Sequence, residues 1–171
     1  ARGGPVFIGF TVAGDPDMER SFFAATAMID AGADMLEIAV PYSDPVADGP
    51  VIERAHHRAL RAGTRPVDVF LLLRRLRDYA PDLPLVLFTY YNIVYRRGVD
   101  RFFSEAAAAG ADGLLIVDLP VEESEEVAPH AARYGIDRIA LIAPTTSPER
   151  QHAILREASG FVYLISLEGV T

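Results

Sequence analysis

One acidic residue, Glu37, lies inside a segment that is otherwise suited to complete burial. The segment reads M-L-E-I-A-V over residues 35–40. Removing an unpaired carboxylate from water is costly, so burial raises the pKa of such a group toward neutral pH. A carboxyl group that titrates near neutral pH can act as a general acid or base. The structural alternative is an ion pair between Glu37 and an arginine of a neighbouring helix.

Two further carboxylates follow in a proline-rich loop directly after this segment. The loop reads P-Y-S-D-P-V-A-D-G-P over residues 41–50, and its acidic members are Asp44 and Asp48. Loops at the carboxyl ends of parallel strands carry the catalytic groups of α/β folds. Aspartate before proline or glycine is also common in turns, and this turn role competes more strongly for Asp44 than for Asp48.

The rest of the chain alternates between strand and helix patterns that would position these residues. The strand segments are continuous apolar runs, which indicates a parallel sheet covered by helices. The motif A-G-A-D occurs at 31–34 and again at 109–112, with glycine placed between a helix and a strand. Strands are predicted over 6–12, 35–40, 85–90, 114–117, 139–143 and 161–165, and helices over 18–29, 50–62, 66–80, 99–109, 121–134 and 148–158. Within 121–134, Pro129 is predicted to break the helix or to begin its main part.

Two α/β folds fit this alternation, an open doubly wound sheet and a (β/α)₈ barrel. The first strand–helix turn lacks the G-x-G-x-x-G fingerprint, and the sequence contains no phosphate-binding P-loop motif. Asp15 is predicted to cap the first helix, and the run T-T-S at 145–147 is predicted to cap the last. The pattern by itself leaves the choice between the two folds open.

The composition excludes several classes of function. The chain has 171 residues, 16 basic side chains that are all arginine, 24 acidic ones and a net charge of −8, which disfavours binding to nucleic acid or an anionic membrane. Without cysteine it has no disulfides, thiolate metal sites or cysteine nucleophiles, and this is compatible with a reducing cytoplasm. No apolar run is long enough to span a membrane as a helix.

Two clusters on predicted helices have competing interpretations. Glu53, His56 and His57 have helical spacing for a metal site, but no second set of ligands accompanies them. We therefore predict no metal and a solvated helix face. The arginine-rich stretch 74–77 is likewise predicted to be a solvated face.

Three segments carry a resemblance to a known family. They are F-T-V-A-G-D-P at 10–16, L-E-I-A-V-P-Y-S-D-P-V-A-D-G-P at 36–50 and D-L-P-V-E-E-S at 118–124. Together they closely resemble tryptophan synthase α subunits, and G-V-T at 169–171 resembles the start of that family's mobile loop. Ala39 and Tyr42 stand where the family usually has glycine and phenylalanine.

The resemblance implies a (β/α)₈ barrel that cleaves indole-3-glycerol phosphate to indole and glyceraldehyde 3-phosphate. It assigns Glu37 as the catalytic acid and base, and Asp48 as the carboxylate that contacts the indole N–H. The residues that would bind substrate are Phe10, Phe88, Tyr90, Leu115, Tyr163 and Thr171. It implies no metal or cofactor in this subunit.

The resemblance also implies a partner, the β subunit of an α₂β₂ tetramer, which would carry pyridoxal phosphate. Asp44, Pro45 and Asn92 would face that partner. Two other readings stay open: another barrel enzyme acting on a phosphorylated substrate, and a non-catalytic partner of a β subunit. The resemblance also implies that the substrate phosphate is bound by segments after strands 7 and 8, which follow the six strands predicted here. We expect residues 1–171 to form a single barrel domain with about six βα units.

Overall fold

Six parallel strands and seven α-helices alternate within residues 4–165, the part of the chain that the computed structural model describes. The strands are β1 (Ile8–Val12), β2 (Met35–Ala39), β3 (Leu85–Thr89), β4 (Gly113–Ile116), β5 (Asp137–Ile142) and β6 (Val162–Leu164). The helices are α1 (Met18–Asp30), α2 (Pro50–Arg61), α3 (Pro66–Tyr79), α4 (Tyr91–Arg97), α5 (Val99–Ala108), α6 (Ala128–Tyr134) and α7 (Pro148–Glu157). A 3₁₀ helix, Val121–Glu126, precedes α6.

The order of the strands decides between the two candidate folds. They pair side by side in the order β1-β2-β3-β4-β5-β6, and every pair is parallel. A doubly wound sheet reverses its strand order at a switch point, whereas a (β/α)₈ barrel adds each strand on the same side of the previous one. The described chain therefore has the winding of a (β/α)₈ barrel over six strands, as the resemblance implied.

The two faces of the sheet have different surroundings. Alternate residues such as Leu36, Ile38 and Leu87 pack against the outer helices in the main hydrophobic core. The intervening residues point to the other face, where Val86, Leu115 and their neighbours form a second apolar cluster. Because both faces are covered, the strands are continuous apolar runs in the sequence.

The sheet is strongly curved toward this inner face. Glu37 in β2 is hydrogen-bonded to Tyr163 in β6, with 2.8 Å between Oε2 and the hydroxyl oxygen. In a flat sheet the four interstrand steps between β2 and β6 would separate these strands by about 19 Å. The inner face is therefore concave, and side chains from distant strands meet across it.

Local predictions at the ends of three helices have different outcomes. Asp17, not Asp15, caps α1, because its carboxylate accepts the Arg20 N–H at 2.8 Å. Asp15 instead forms a two-pronged ion pair with Arg58 at 2.7 Å. The interruption predicted at Pro129 within 121–134 is confirmed, because the 3₁₀ helix precedes α6 and Pro129 lies in the first turn of α6. The cap predicted within 145–147 is confirmed, and Ser147 is the residue that caps α7.

Helix α4 was absent from the sequence prediction. Its seven residues, Y-N-I-V-Y-R-R, begin directly after β3 and include aromatic and β-branched residues of modest helix propensity. Such a short helix is stabilised by tertiary packing rather than by its own sequence. Here the buried Val94 supplies that packing.

The arginines of α3 are not a simple solvated face. Arg77 donates to the carbonyl oxygens of Pro81, Leu83 and Gly110 at 2.7–2.8 Å and to the carboxylate of Asp112 at 2.5 Å. Arg75 pairs with Glu19 at 2.7 Å, whereas Arg74 is exposed. Arg77 therefore ties the end of α3 to the loop before β4.

We expect Arg77→Ala to lower the free energy of unfolding by about 1–3 kcal/mol, because several charge-assisted hydrogen bonds are lost together. Urea denaturation of the full-length protein measures this difference. Arg74→Ala is the matched control and should change stability by less than about 0.5 kcal/mol. Equal losses in the two variants would contradict the structural role of Arg77.

Candidate active site

Glu37 is buried on the concave face with only one of its two carboxylate oxygens bonded. The residue is 4% exposed, and Oε2 accepts the hydrogen bond from Tyr163. Oε1 is buried and has no hydrogen-bond partner among the described residues. Burial raises the pKa of Glu37 to about 6; the Tyr163 hydroxyl opposes this shift and the negative charge of Asp48 adds to it. No arginine pairs with Glu37 in the described part of the chain, so the ion-pair alternative is wrong.

Asp48 lies in the loop between β2 and α2, and its side chain is 5% exposed. Its Oδ2 accepts a hydrogen bond from the Tyr90 hydroxyl at 2.7 Å. That hydroxyl in turn accepts the Ala47 N–H at 3.2 Å. Burial and the bond to Asp48 raise the pKa of Tyr90 well above its ordinary value, so the hydroxyl keeps its proton and remains a donor.

Aromatic rings surround the two carboxylates. Phe10 and Phe88 meet edge to face with 5.6 Å between ring centroids, and Phe88 lies 6.3 Å from Tyr90 in the same manner. Tyr42 stacks on Tyr90 at 4.7 Å. Leu115 is in register with Phe88 on the next strand. Rings and aliphatic groups beside a few polar atoms are typical of a site for a flat apolar ligand.

The structure brings most of the predicted site residues to one concave face and its rim. Those that share it are Phe10, Glu37, Asp48, Phe88, Tyr90, Leu115 and Tyr163. Tyr90 is almost completely buried, and its hydroxyl donates to Asp48; its assignment to substrate binding stays a prediction. Thr171 lies outside the described residues.

The residues predicted to face a partner lie outside this pocket. Asp44 and Asn92 are exposed, and Pro45 is buried. Asn92 lines a shallow surface cleft with Tyr42, Ser43 and three arginines of α4 and α5. Their assignment as partner contacts stays a prediction.

The sequence prediction for His56 is wrong. The sequence predicts a solvated helix face here, yet His56 is completely buried, whereas Glu53 is exposed. His56 lies four residues after Ile52 and three before Ala59, the helical positions of a face that packs against β1 and β2. This spacing could have identified it as an inward residue.

No group of three or more histidine, cysteine, aspartate or glutamate side chains among the described residues could hold a metal ion. None of the helices between residues 4 and 165 has the length and apolar character needed to cross a membrane.

Replacing the two neighbours of Glu37 should move its pKa in opposite directions. Tyr163→Phe removes a donor that favours the ionised form, so the pKa of Glu37 should rise above about 6. Asp48→Asn removes a negative charge, so the pKa should fall. Carboxyl NMR titration of the ¹³C-glutamate-labelled full-length protein measures both, with the Glu37 signal identified by its absence in Glu37→Gln. Tyr95→Phe changes an exposed tyrosine and serves as the control, which should not shift the pKa of Glu37. If Tyr163→Phe and Asp48→Asn shift that pKa in the same direction, this electrostatic account is refuted.

The raised pKa of Glu37 also predicts a pH-dependent cost to stability. The folded protein holds this proton more tightly than the unfolded chain, so stability falls as pH rises from 4.5 through about 6. The Glu37→Gln variant has no titrating carboxyl group at this position, so its stability does not fall in this way. Its free energy of unfolding relative to the parent should therefore increase by about 2 kcal/mol between pH 4 and pH 8. Denaturant titrations at the two pH values measure it, and a pH-independent difference would contradict the assignment.

Comparison with known proteins places this geometry in a family. The family model described as tryptophan synthase alpha chain matches residues 1–171. The tryptophan synthase alpha chain of Methanoregula boonei is 56% identical over 170 residues, and that of Carboxydothermus hydrogenoformans is 48% identical over 171 residues. These alignments cover 99% and 100% of this chain. The chain spans 64% of the length of each of these relatives.

Solved structures give the same result. A structure of Mycobacterium tuberculosis tryptophan synthase superposes with a TM-score of 0.93 at 40% identity, covering 97% of this chain and 64% of that one. A tryptophan synthase complex from Pyrococcus furiosus gives 0.89 at 41% identity, covering 93% and 65%. With the family model matched from end to end, the chain belongs to the tryptophan synthase alpha chain family.

Proposed function

We propose that the protein cleaves indole-3-glycerol phosphate to indole and glyceraldehyde 3-phosphate, as the α component of tryptophan synthase in tryptophan biosynthesis. The observation that carries this proposal is the buried Glu37, with a pKa of about 6 and one unbonded oxygen beside a second carboxylate and aromatic rings. Membership of the family supports the choice of substrate.

The proposed reaction is a retro-aldol cleavage in which protons balance. A proton is added to C3 of the indole ring, which gives an indolenine cation. The bond between C3 and the hydroxyl-bearing carbon of the glycerol chain then breaks, and its electron pair neutralises the ring. The hydroxyl loses its proton and its oxygen forms the aldehyde carbonyl. One proton is delivered and one is removed.

Glu37 is suited to move these protons. A carboxyl group with a pKa of about 6 is partly protonated near neutral pH, so it can both donate and accept. Tyr163 holds Oε2, which leaves Oε1 as the oxygen available for proton transfer. The absence of a permanent partner for Oε1 among the described residues is unusual for a buried polar atom and is typical of a reactive one.

Asp48 is suited to stabilise the cation. The Tyr90 hydroxyl binds Oδ2, and no hydrogen bond from the described residues reaches Oδ1. Oδ1 is thus the oxygen we assign to the indole N–H. Positive charge on the indolenine would strengthen this contact during the reaction, which is how a fixed negative group accelerates a step. The two carboxyl groups then have different tasks because their surroundings differ.

The remaining assignments belong to the same proposal. The indole ring would be enclosed by Phe10, Phe88, Tyr90, Leu115 and Tyr163, and Thr171 would close over Asp48. The subunit would need no cofactor and no metal, whereas a partner β subunit would hold pyridoxal phosphate. Asp44, Pro45 and Asn92 would face that subunit in an α₂β₂ assembly in the cytoplasm. A relative from Pyrococcus furiosus is described as such an α₂β₂ complex.

Indole release from indole-3-glycerol phosphate by the full-length protein, with and without a β subunit, tests the proposal. We expect slow release that rises strongly when the β subunit is added. Glu37→Gln should reduce release by about 100-fold or more, because general acid–base catalysis contributes at least that factor. Glu53→Gln, which changes an exposed carboxylate, should leave the rate unchanged.

The outcomes separate the alternatives. A folded parent that releases no indole under either condition would refute the lyase. Full activity in Glu37→Gln would refute the role of this residue alone. If Glu37→Gln still activates the β subunit while releasing no indole, catalysis and partnership are separate properties, as the proposal requires.

A further inference from the structure

A completely buried histidine that the proposed chemistry does not use, His56, lies behind Asp48. It belongs to α2 and packs near Ile52 and Ala59. Its Nδ1 lies 3.2 Å from the backbone nitrogen of Tyr42 and accepts that N–H. A neutral imidazole carries one proton, so accepting at Nδ1 assigns the proton to Nε2.

The Nε2–H group is directed toward Asp48. Nε2 lies 3.3 Å from Asp48 Oδ2, with geometry short of a full hydrogen bond, and it has no other partner among the described residues. Leaving a buried N–H unpaired is unfavourable, so a slight movement of the carboxylate that completes this bond is favoured. Hydrogen bonds at active sites are often long without substrate and shorten in the complex.

The Tyr90 hydroxyl reaches the same oxygen from another direction. It donates to Oδ2 at 2.7 Å and is itself held by the Ala47 N–H. With two donors on Oδ2, the carboxylate cannot rotate freely, and Oδ1 remains the oxygen without a donor from the described residues. The backbone N–H of Tyr42 holds the His56 ring, and this ring and the Tyr90 hydroxyl both approach Asp48 Oδ2.

We propose that His56 is a positioning residue, which fixes the Asp48 carboxylate through Nε2–H···Oδ2 so that Oδ1 is presented to the indole N–H. This inference rests on the function proposed above for Asp48. An uncharged core residue of similar size would fill the same space but would supply no donor. The distinction between positioning and packing is therefore open to experiment.

Three substitutions in the full-length protein with its β subunit separate these roles. His56→Gln places an amide donor near the Nε2 position, His56→Asn keeps only an acceptor near Nδ1, and His56→Leu keeps neither. We expect the kcat of indole release to fall about tenfold in the Asn and Leu variants, the size of a lost hydrogen bond to a charged group. KM should change by less than about threefold, because charge on the ring develops during the reaction, and the Gln variant should retain most of kcat. His57→Asn, the matched control at the neighbouring position, should behave like the parent.

A double-mutant comparison with Asp48 distinguishes positioning from packing, because a residue that only fills space would not be coupled to Asp48. In an Asp48→Asn background, His56→Asn should cause little further loss, because the two residues act through one contact. Independent losses would overturn the proposal. Long-range ¹H–¹⁵N NMR of the imidazole should show the proton on Nε2, with that signal changed by Asp48→Asn; a proton on Nδ1 would overturn it even if a variant failed to fold.

The failure of this inference can be told from failure of the function. A parent that releases no indole refutes the proposed function, and the role of His56 with it. An active parent whose kcat is unchanged in His56→Asn refutes only the positioning role.

Discussion

The site depends on one constraint, the placing of a carboxylate on the concave apolar face of a curved parallel sheet. Glu37 reaches Tyr163 only because the curvature of the sheet brings β2 and β6 together across that face. Water is largely excluded there, which raises the pKa of Glu37 to about 6. A fully bonded carboxylate would have been stable and inert. One bonded oxygen keeps the group in place, and the unbonded oxygen remains available for chemistry.

The second carboxylate is held in a different way. Asp48 is in a loop rather than a strand, and its position is set by the Tyr90 hydroxyl, itself held by the backbone of Ala47. Stacking of Tyr42 on Tyr90 supports this arrangement from the side. Groups around Asp48 therefore orient it, whereas burial around Glu37 tunes its proton affinity. This division gives two similar side chains two separate tasks.

Most elements of the fold that positions these carboxylates could be predicted from local sequence patterns, and a few could not. Glycine and proline boundaries predicted the major helices and all six strands to within a few residues. Predictions failed where a contact distant in sequence decided the outcome. Asp15 forms an ion pair with Arg58, and Asp17 caps α1 instead. Arg77 donates hydrogen bonds to carbonyl oxygens in two loops and is therefore not simply solvated. Helix α4 is stabilised because its short apolar face is buried.

Three properties follow from the order of the residues: the alternation of strands and helices, the unusual carboxylate of Glu37 and the motif that assigns the family. Those properties are local, because propensity, hydrophobic runs and residue spacing act over short stretches of chain. Two contacts follow instead from the packing of the whole chain: Tyr163 meets Glu37 from 126 residues away, and His56 approaches Asp48. The curvature of the sheet and the rotation of α2 about its axis set these contacts. Both arise from the packing of the whole sheet against its helices.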